Sequence, residues 1–194
     1  MDWRGQVALI TGASSGIGAV TARKLAREGL KVALVARRTE RLETVAEEIR
    51  QAGGEALVVT ADLSRAEERQ SVFEQAHTAY GPVDVLVNNA GLGWYGFGCD
   101  MSWPVAQRIV QVNVEAVVHF TLLFLPEMRA RNHGHIINVG SIAGSLPSQG
   151  VAIYAATKSF VDSFTTALYR EMRGTRVHVS VVRPGPVTTE FFEV

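Results

Sequence analysis

Val7-Ala8-Leu9-Ile10-Thr11-Gly12-Ala13-Ser14-Ser15-Gly16-Ile17-Gly18 joins an apolar run of strand length to a turn with three glycines. The turn leads into Ile17–Glu28, whose apolar side chains recur at helical spacing. The order strand, glycine turn, helix has a chemical consequence. Glycines spaced Gly-x-x-x-Gly-x-Gly let the backbone turn tightly and leave its N–H groups open to a ligand, while the helix start adds the positive end of its dipole. The stretch reads as an anion cradle and as the first βα unit of a larger pattern.

That pattern continues along the chain. Apolar runs at Val7–Ile10, Val32–Val35, Ala56–Val59, Val83–Val87, His135–Val139 and Val177–Val182 suit strands buried on both faces of a parallel sheet. Between them, Ile17–Glu28, Glu40–Ala52, Ala66–Tyr80, Trp103–Arg131 and Tyr154–Arg173 carry helical periodicity and good helix formers. Strict alternation calls for right-handed crossovers over an open sheet. The expected fold is α/β, a single doubly wound Rossmann-type domain with a parallel sheet, over residues 1–194. Gly29, Gly53, Gly81, Gly134 and Gly174 stand where helices should stop, the usual place for a left-handed residue.

Composition narrows the partners. Lys+Arg 19 balance Asp+Glu 19, so there is no electrostatic reason to expect nucleic acid or an anionic membrane. The lone Cys99 cannot form an internal disulfide, which fits a reducing compartment, the cytoplasm. Met1-Asp2-Trp3 leads straight into the first strand without the pattern of a signal peptide. The apolar stretch Val112–Pro126 is short for a membrane span and reads as a buried helix. His77, His119, His133, His135 and His178 lack metal-ligand spacing, so no metal is expected, and His133 and His135, just before a strand, read as surface-loop histidines.

The glycine turn is a variant of the dinucleotide fingerprint. That fingerprint expects an acidic residue about 20 positions on, to bond the ribose 2′-OH of NAD. Here Ala36-Arg37-Arg38 closes the second strand instead. Two guanidiniums suit a 2′-phosphate, so NADP(H) is the expected cofactor, with NAD(H) possible; Arg38 is either a contact or solvated surface. Tyr154 and Lys158 lie four apart on a helical segment and share a face. An ammonium group close to a phenol should bring its pKa of about 10 towards the working range.

With these motifs in order, the chain resembles the short-chain dehydrogenases/reductases, in their NADP-preferring subgroup, from the first strand to the last residue. Asn88-Asn89-Ala90-Gly91 after the fourth strand matches that family, as does Ser141, thirteen residues before Tyr154. The resemblance implies an enzyme that interconverts a carbonyl and an alcohol on a small molecule. Tyr154 would be its general acid/base, and Ser141 would bond the substrate oxygen. Lys158 would lower the tyrosine pKa and hold the nicotinamide ribose, and Asn113 would hold a relay water. Ser141 and Asn113 also have plainer readings, as a loop serine and a helix-interior hydrogen bond. The implied cofactor contacts are Gly12, Ser14, Ser15, Gly16, Ile17, Gly18, Arg37, Arg38, Asp62, Leu63, Asn89, Ala90, Gly91, Tyr154, Lys158, Pro184, Gly185, Val187 and Thr189. Ser14 and Arg37 would flank the 2′-phosphate, Asp62 would meet the adenine or else cap a helix, and Thr189 fits the carboxamide contact better than Thr188.

In that family the chain normally continues past this point, through a segment that closes over the substrate and a last strand; both are expected to be missing here, since the sequence ends at Val194. Gly93-Trp94-Tyr95-Gly96-Phe97 would line an apolar wall of the substrate region. Pairing of Trp103–Arg131 and Tyr154–Arg173 between subunits would give a homodimer or homotetramer. Two other readings use the same residues, a dinucleotide-binding regulator without turnover and an assembly protein.

Overall fold

The structure is a computed structural model that describes residues 3–146 and 148–187. Its sheet is built from β1 (Val7–Thr11), β2 (Lys31–Ala36), β3 (Ala56–Thr60), β4 (Val85–Asn88), β5 (Gly134–Val139) and β6 (Val177–Val182). Every pairing is parallel. The spatial order is β3-β2-β1-β4-β5-β6. The chain therefore winds outward in one direction from β1, crosses back, and winds outward in the other. Between β1 and β4 the connections diverge, and a crevice opens at the carboxyl ends of the strands.

Helices cover both faces. One face packs against α1 (Gly16–Arg27) and α2 (Thr39–Gln51), with Ala8, Ile10, Val32, Leu34, Val85 and Val87 meeting Ala22, Leu42, Val45 and Ile49. The other packs against α3 (Ala66–Tyr80), α5 (Ala116–Arg131) and α6 (Ala152–Glu171), with Leu9, Val35, Leu86 and Ile136 meeting Val72, Phe120, Phe124, Met128 and Leu168. Alternate residues of one strand thus enter opposite cores, and each fully buried large apolar side chain contributes about 1.5–3 kcal/mol.

Two outer strands differ from the expected double burial. In β6, Val177 and Val179 are buried while His178, Ser180 and Val182 are exposed, and β5 alternates in the same way. The physical reason is that α1 and α2 pack chiefly over β1, β2 and β3, so that on this face the β5 side chains Ile137 and Val139 are only partly covered. Gly134 also departs from expectation. The left-handed residue ending α5 is Asn132, at φ 49°. Gly134 instead opens β5 against Met128, where an added Cβ would stand 2.5 Å from Cγ.

The long helix runs from Trp103 to Arg131, as α4 (Trp103–Val110), a π-helical segment (Gln111–Glu115) and α5. Its length and apolar composition would suit a membrane span. However, Phe120, Phe124 and Met128 are fully buried in the protein core, so the apolar face is spent on packing. His133 precedes β5, while His135, expected in a loop, lies within the strand. His77 lies in α3 and His119 in α5, while His135 and His178 pair across β5 and β6 with rings 4.7 Å apart. Among the described residues no cluster of potential ligands could hold a metal ion.

A polar chain crosses the second core. Asn88 Nδ2 donates to Asn138 Oδ1 at 2.9 Å, and Asn138 Nδ2 donates to Thr165 Oγ1 at 2.9 Å, tying β4 to β5 and β5 to α6. Asn138→Leu leaves the buried Asn88 amide without its acceptor and takes a donor from Thr165, whose hydroxyl keeps only the Val161 carbonyl, so denaturant unfolding should show a loss of about 1–3 kcal/mol; an unchanged midpoint would contradict this role.

Candidate functional site

The candidate site collects at the carboxyl ends of the strands. Thr11, the last residue of β1, is the hub. Its hydroxyl donates to the Val87 carbonyl at 3.3 Å and accepts from the Asn89 and Ala90 N–H groups, both at 3.0 Å. Asn89 Nδ2 returns the link, donating to the Thr11 carbonyl at 2.9 Å and the Gly12 carbonyl at 3.3 Å. The glycine turn is thereby fastened to the exit of β4. Gly12 takes φ 67°, and a Cβ there would stand 2.8 Å from the Asn89 amide. At Gly18 a Cβ would stand 2.3 Å from the Gly12 carbonyl, so helix and turn meet as bare backbone.

This turn leaves the start of α1 ready for an anion. Ser15 is the N-cap but makes no side-chain cap bond, and the first turn has no acidic residue. The first N–H groups are therefore free of carboxylate competition and carry the positive end of the dipole. Ile17 is half-buried behind them. Arg38 reaches over this turn, donating from Nη2 to Ser15 Oγ at 2.8 Å and Ser14 Oγ at 3.2 Å. Arg37, expected with Ser14 to flank a 2′-phosphate, places its charge near enough to Asp62 to lower that carboxyl's pKa.

Asp62 follows β3. Burial pushes its carboxyl pKa up, but bonds from the Ser64 N–H and hydroxyl, with the charges of Arg108 and Arg37, outweigh this and hold it below the usual value. Oδ2 accepts from Arg108 Nη2 at 2.8 Å. Asp62 is not a helix cap, because α3 begins at Ala66 with Arg65 as its N-cap. Leu63 is buried beside it. Ala90 and Gly91 continue the exit of β4.

The other half of the site lies at the exit of β5 and on α6. The Ser141 hydroxyl accepts from the Ala143 N–H at 3.1 Å and is hydrogen-bonded to the Tyr154 phenol. Lys158 is 4 % exposed, donates to the Val139 carbonyl at 2.7 Å, and holds Nζ 5.8 Å from the centre of the Tyr154 ring. Here the electrostatics differ from expectation. Burial raises the Tyr154 pKa and the Ser141 bond only partly offsets this, while burial brings Lys158 down to about 8. The ammonium faces the ring and the Val139 carbonyl, so the phenol keeps its proton at neutral pH.

Asn113 is fully buried in the π-helical segment. Its Oδ1 accepts from the Leu92 N–H at 2.8 Å, and Nδ2 donates to the Leu92 carbonyl at 2.9 Å and Thr157 Oγ1 at 3.0 Å. The side chain stitches the β4 exit to α6, next to Lys158. Arg69, which no sequence motif singled out, supports the same region. It is 4 % exposed and donates to the Leu63 carbonyl and to Nδ1 of His119.

After β6, the Pro184 carbonyl accepts from the Ile142 N–H at 3.2 Å, and a Cβ added at Gly185 would stand 3.9 Å from Ile142. Val187 is exposed. Thr188 and Thr189 lie outside the described residues.

The short chain dehydrogenase family profile matches residues 6–194. The chain belongs to the short-chain dehydrogenase/reductase family. It is 36% identical over 184 residues to the ketoacyl reductase HetN of Nostoc sp., covering 95% of this chain and 64% of HetN. A short-chain dehydrogenase/reductase from Burkholderia phymatum, solved with NAD, superposes with a TM-score of 0.94 at 36% identity, over 98% of this chain and 69% of that one. A metagenomic short-chain oxidoreductase solved with NADP does so at 0.91 and 41% identity, over 96% of this chain and 85% of that one. The chain thus spans somewhat less than two thirds of HetN.

Asn113→Ala removes every side-chain bond that holds Leu92. Loss of about 1.5–3 kcal/mol of local stability should speed hydrogen exchange at the Leu92 amide by roughly 10–100-fold. Unchanged exchange there would show that the stitch is not what orders the loop.

Proposed function

We propose that this chain is the catalytic domain of an NADP(H)-dependent oxidoreductase that interconverts a carbonyl and an alcohol, with Tyr154 as general acid/base. The observation that carries the reading is the meeting of the Tyr154 phenol, the Ser141 hydroxyl and the Lys158 ammonium beside a dinucleotide-type glycine turn. Family membership and the ketoacyl reductase relative support the same chemistry.

The residues at the strand ends fit such a cofactor. An uncapped helix start and bare-backbone glycines suit the pyrophosphate. Gly12, Ser14, Ser15, Gly16, Ile17 and Gly18 would hold it. Asp62 and Leu63 would meet the adenine, Asn89, Ala90 and Gly91 the middle, and Lys158, Pro184, Gly185, Val187 and Thr189 the nicotinamide end. The preference for NADP(H) rests on Arg38, which already bonds the Ser14 and Ser15 hydroxyls where a 2′-phosphate would accept from all three. Arg37 adds charge nearby. NAD(H) remains a second cofactor of the same cradle, since the Burkholderia relative was solved with it.

The nicotinamide supplies or accepts the hydride. In the reductive direction, the substrate oxygen accepts hydrogen bonds from Ser141 and Tyr154, and Tyr154 releases its proton to that oxygen. Burial keeps the phenol protonated until then. The Lys158 charge, present below its pKa of about 8, stabilises the phenolate left behind. Asn113 keeps α6 and the β4 exit in register around the pair.

The walls of the site suggest a neutral, apolar substrate. There is no charged side chain between Asp84 and Asp100, nor between His135 and Lys158. Tyr95 is exposed, with its ring against Gly150, while the Gly96 N–H donates to the Gly150 carbonyl at 2.9 Å, joining the two loops. Exposed Leu122, Phe160 and Tyr169 on α5 and α6 support subunit pairing through these helices.

Tyr154→Phe should reduce carbonyl turnover by about 10²–10⁴-fold or more while leaving the NADPH dissociation constant within a few-fold; parallel loss of binding would count against the acid/base role. Arg38→Ala should weaken NADPH binding by roughly 10–100-fold and NADH binding little, as read by fluorescence titration. Equal losses for both cofactors would remove the basis for the preference.

A further inference from the structure

Asp162 lies one helical turn beyond Lys158 on α6, on the same side of the helix. Its side chain is 15% exposed, and Oδ2 accepts from Arg183 Nε at 2.9 Å. The other oxygen, Oδ1, is buried and has no hydrogen-bond partner among the described residues. It points at the backbone of Gly140, where an added Cβ would stand 2.9 Å from it. Gly140 in turn donates to the Val182 carbonyl at 2.8 Å. It follows Val139, which holds the Lys158 ammonium, and precedes Ser141. A single carboxylate therefore sits where the β5 exit, α6 and the β6 exit converge.

A buried carboxylate oxygen without a hydrogen bond is costly unless opposite charge faces it. The neighbours of Lys158 show which charge does so. From α6 it faces the Tyr154 ring and feels the charge of Asp162, one turn on; from β5, it meets the Val139 carbonyl. Ser141, before α6, bonds Tyr154, and uncharged Asn113 on the long helix reaches this neighbourhood only through Thr157. Arg183, from the β6 exit, stands behind Asp162. Asp162 is the anion in this set.

We infer that Asp162, braced by Arg183, is a positioning residue that supplies the counter-charge keeping the buried Lys158 cationic against the Val139 carbonyl. Its catalytic meaning rests on the oxidoreductase reading above; its electrostatics do not. Burial drives the Lys158 pKa down and the Asp162 charge pushes it back up, which agrees with this arrangement. The ion pair also has a mechanical part, because it fastens α6 to the segment that carries Pro184 and Gly185.

The test is an NMR titration of protein labelled with ¹³C at the lysine Cε carbons. The chain has three lysines, Lys24, Lys31 and Lys158, and Lys24→Arg and Lys31→Arg assign the signals. Lys158 should titrate near 8 in the unaltered protein. Asp162→Asn should lower that midpoint by about one unit, about a tenfold loss of proton affinity. Mere loosening would admit water and move the midpoint up instead, so an unchanged or raised midpoint overturns the inference. A second measurement needs no variant at Asp162: the Asp162 carboxyl carbon of the unaltered protein should show an inflection at the Lys158 midpoint, and its absence overturns the inference equally. Turnover is scored separately. A protein that binds NADPH and never reduces a carbonyl refutes the proposed activity, while the lysine titration still decides the role of Asp162.

Discussion

The Thr11 hydroxyl holds the point on which the site depends. It bridges the ends of β1 and β4, where the winding of the sheet reverses, by bonding the Val87 carbonyl and the Asn89 and Ala90 N–H groups. Parallel strands that diverge in connection leave backbone groups at their carboxyl ends without ladder partners. One hydroxyl and one amide, Thr11 and Asn89, satisfy them and fix the glycine turn against the β4 exit. These bonds fix the turn at the start of α1 in the absence of any ligand, and preorganised donors of this kind lose little entropy on binding.

Burial then tunes the chemistry. Lys158 is almost fully enclosed, and that burial brings its pKa down to about 8, while Tyr154 is raised by the same loss of water. The two shifts run in opposite directions because burial disfavours whichever form is charged. The pair is held as ammonium and neutral phenol at neutral pH, the state a proton donor needs. Around it the Asn113–Thr157 and Asn138–Thr165 bonds join α6 to the long helix and the sheet, so the helix bearing Tyr154 is anchored by polar contacts from two sides.

Much of this was legible in the sequence, for identifiable reasons. The six strands and alternating helices follow from hydrophobic periodicity, and the glycine turn follows from backbone requirements that few other residues meet. Tyr154 and Lys158 are visible because helical spacing puts them on one face. What stayed hidden depends on contacts distant in the chain. Whether Arg37 or Arg38 reaches Ser14 depends on how the β2 exit turns, which neighbouring arginines do not reveal. The Asn113 bonds depend on a π-helical widening that no residue type announces. Asn132 takes the left-handed position expected of Gly134, and Gly134 serves a different need, the close approach of Met128 from α5. The Arg69–His119 bond stayed hidden because its partners are fifty positions apart.

The central claim is that this crevice carries hydride between a nicotinamide and a carbonyl carbon. Its most direct test is deuterium transfer. Unaltered protein is incubated with NADPH deuterated at the transferable nicotinamide position and with neutral aryl and alkyl ketones, and the alcohols are analysed by mass spectrometry. The account predicts deuterium on the carbinol carbon, one per turnover. Saturable NADPH binding with no deuterium in any product would contradict it.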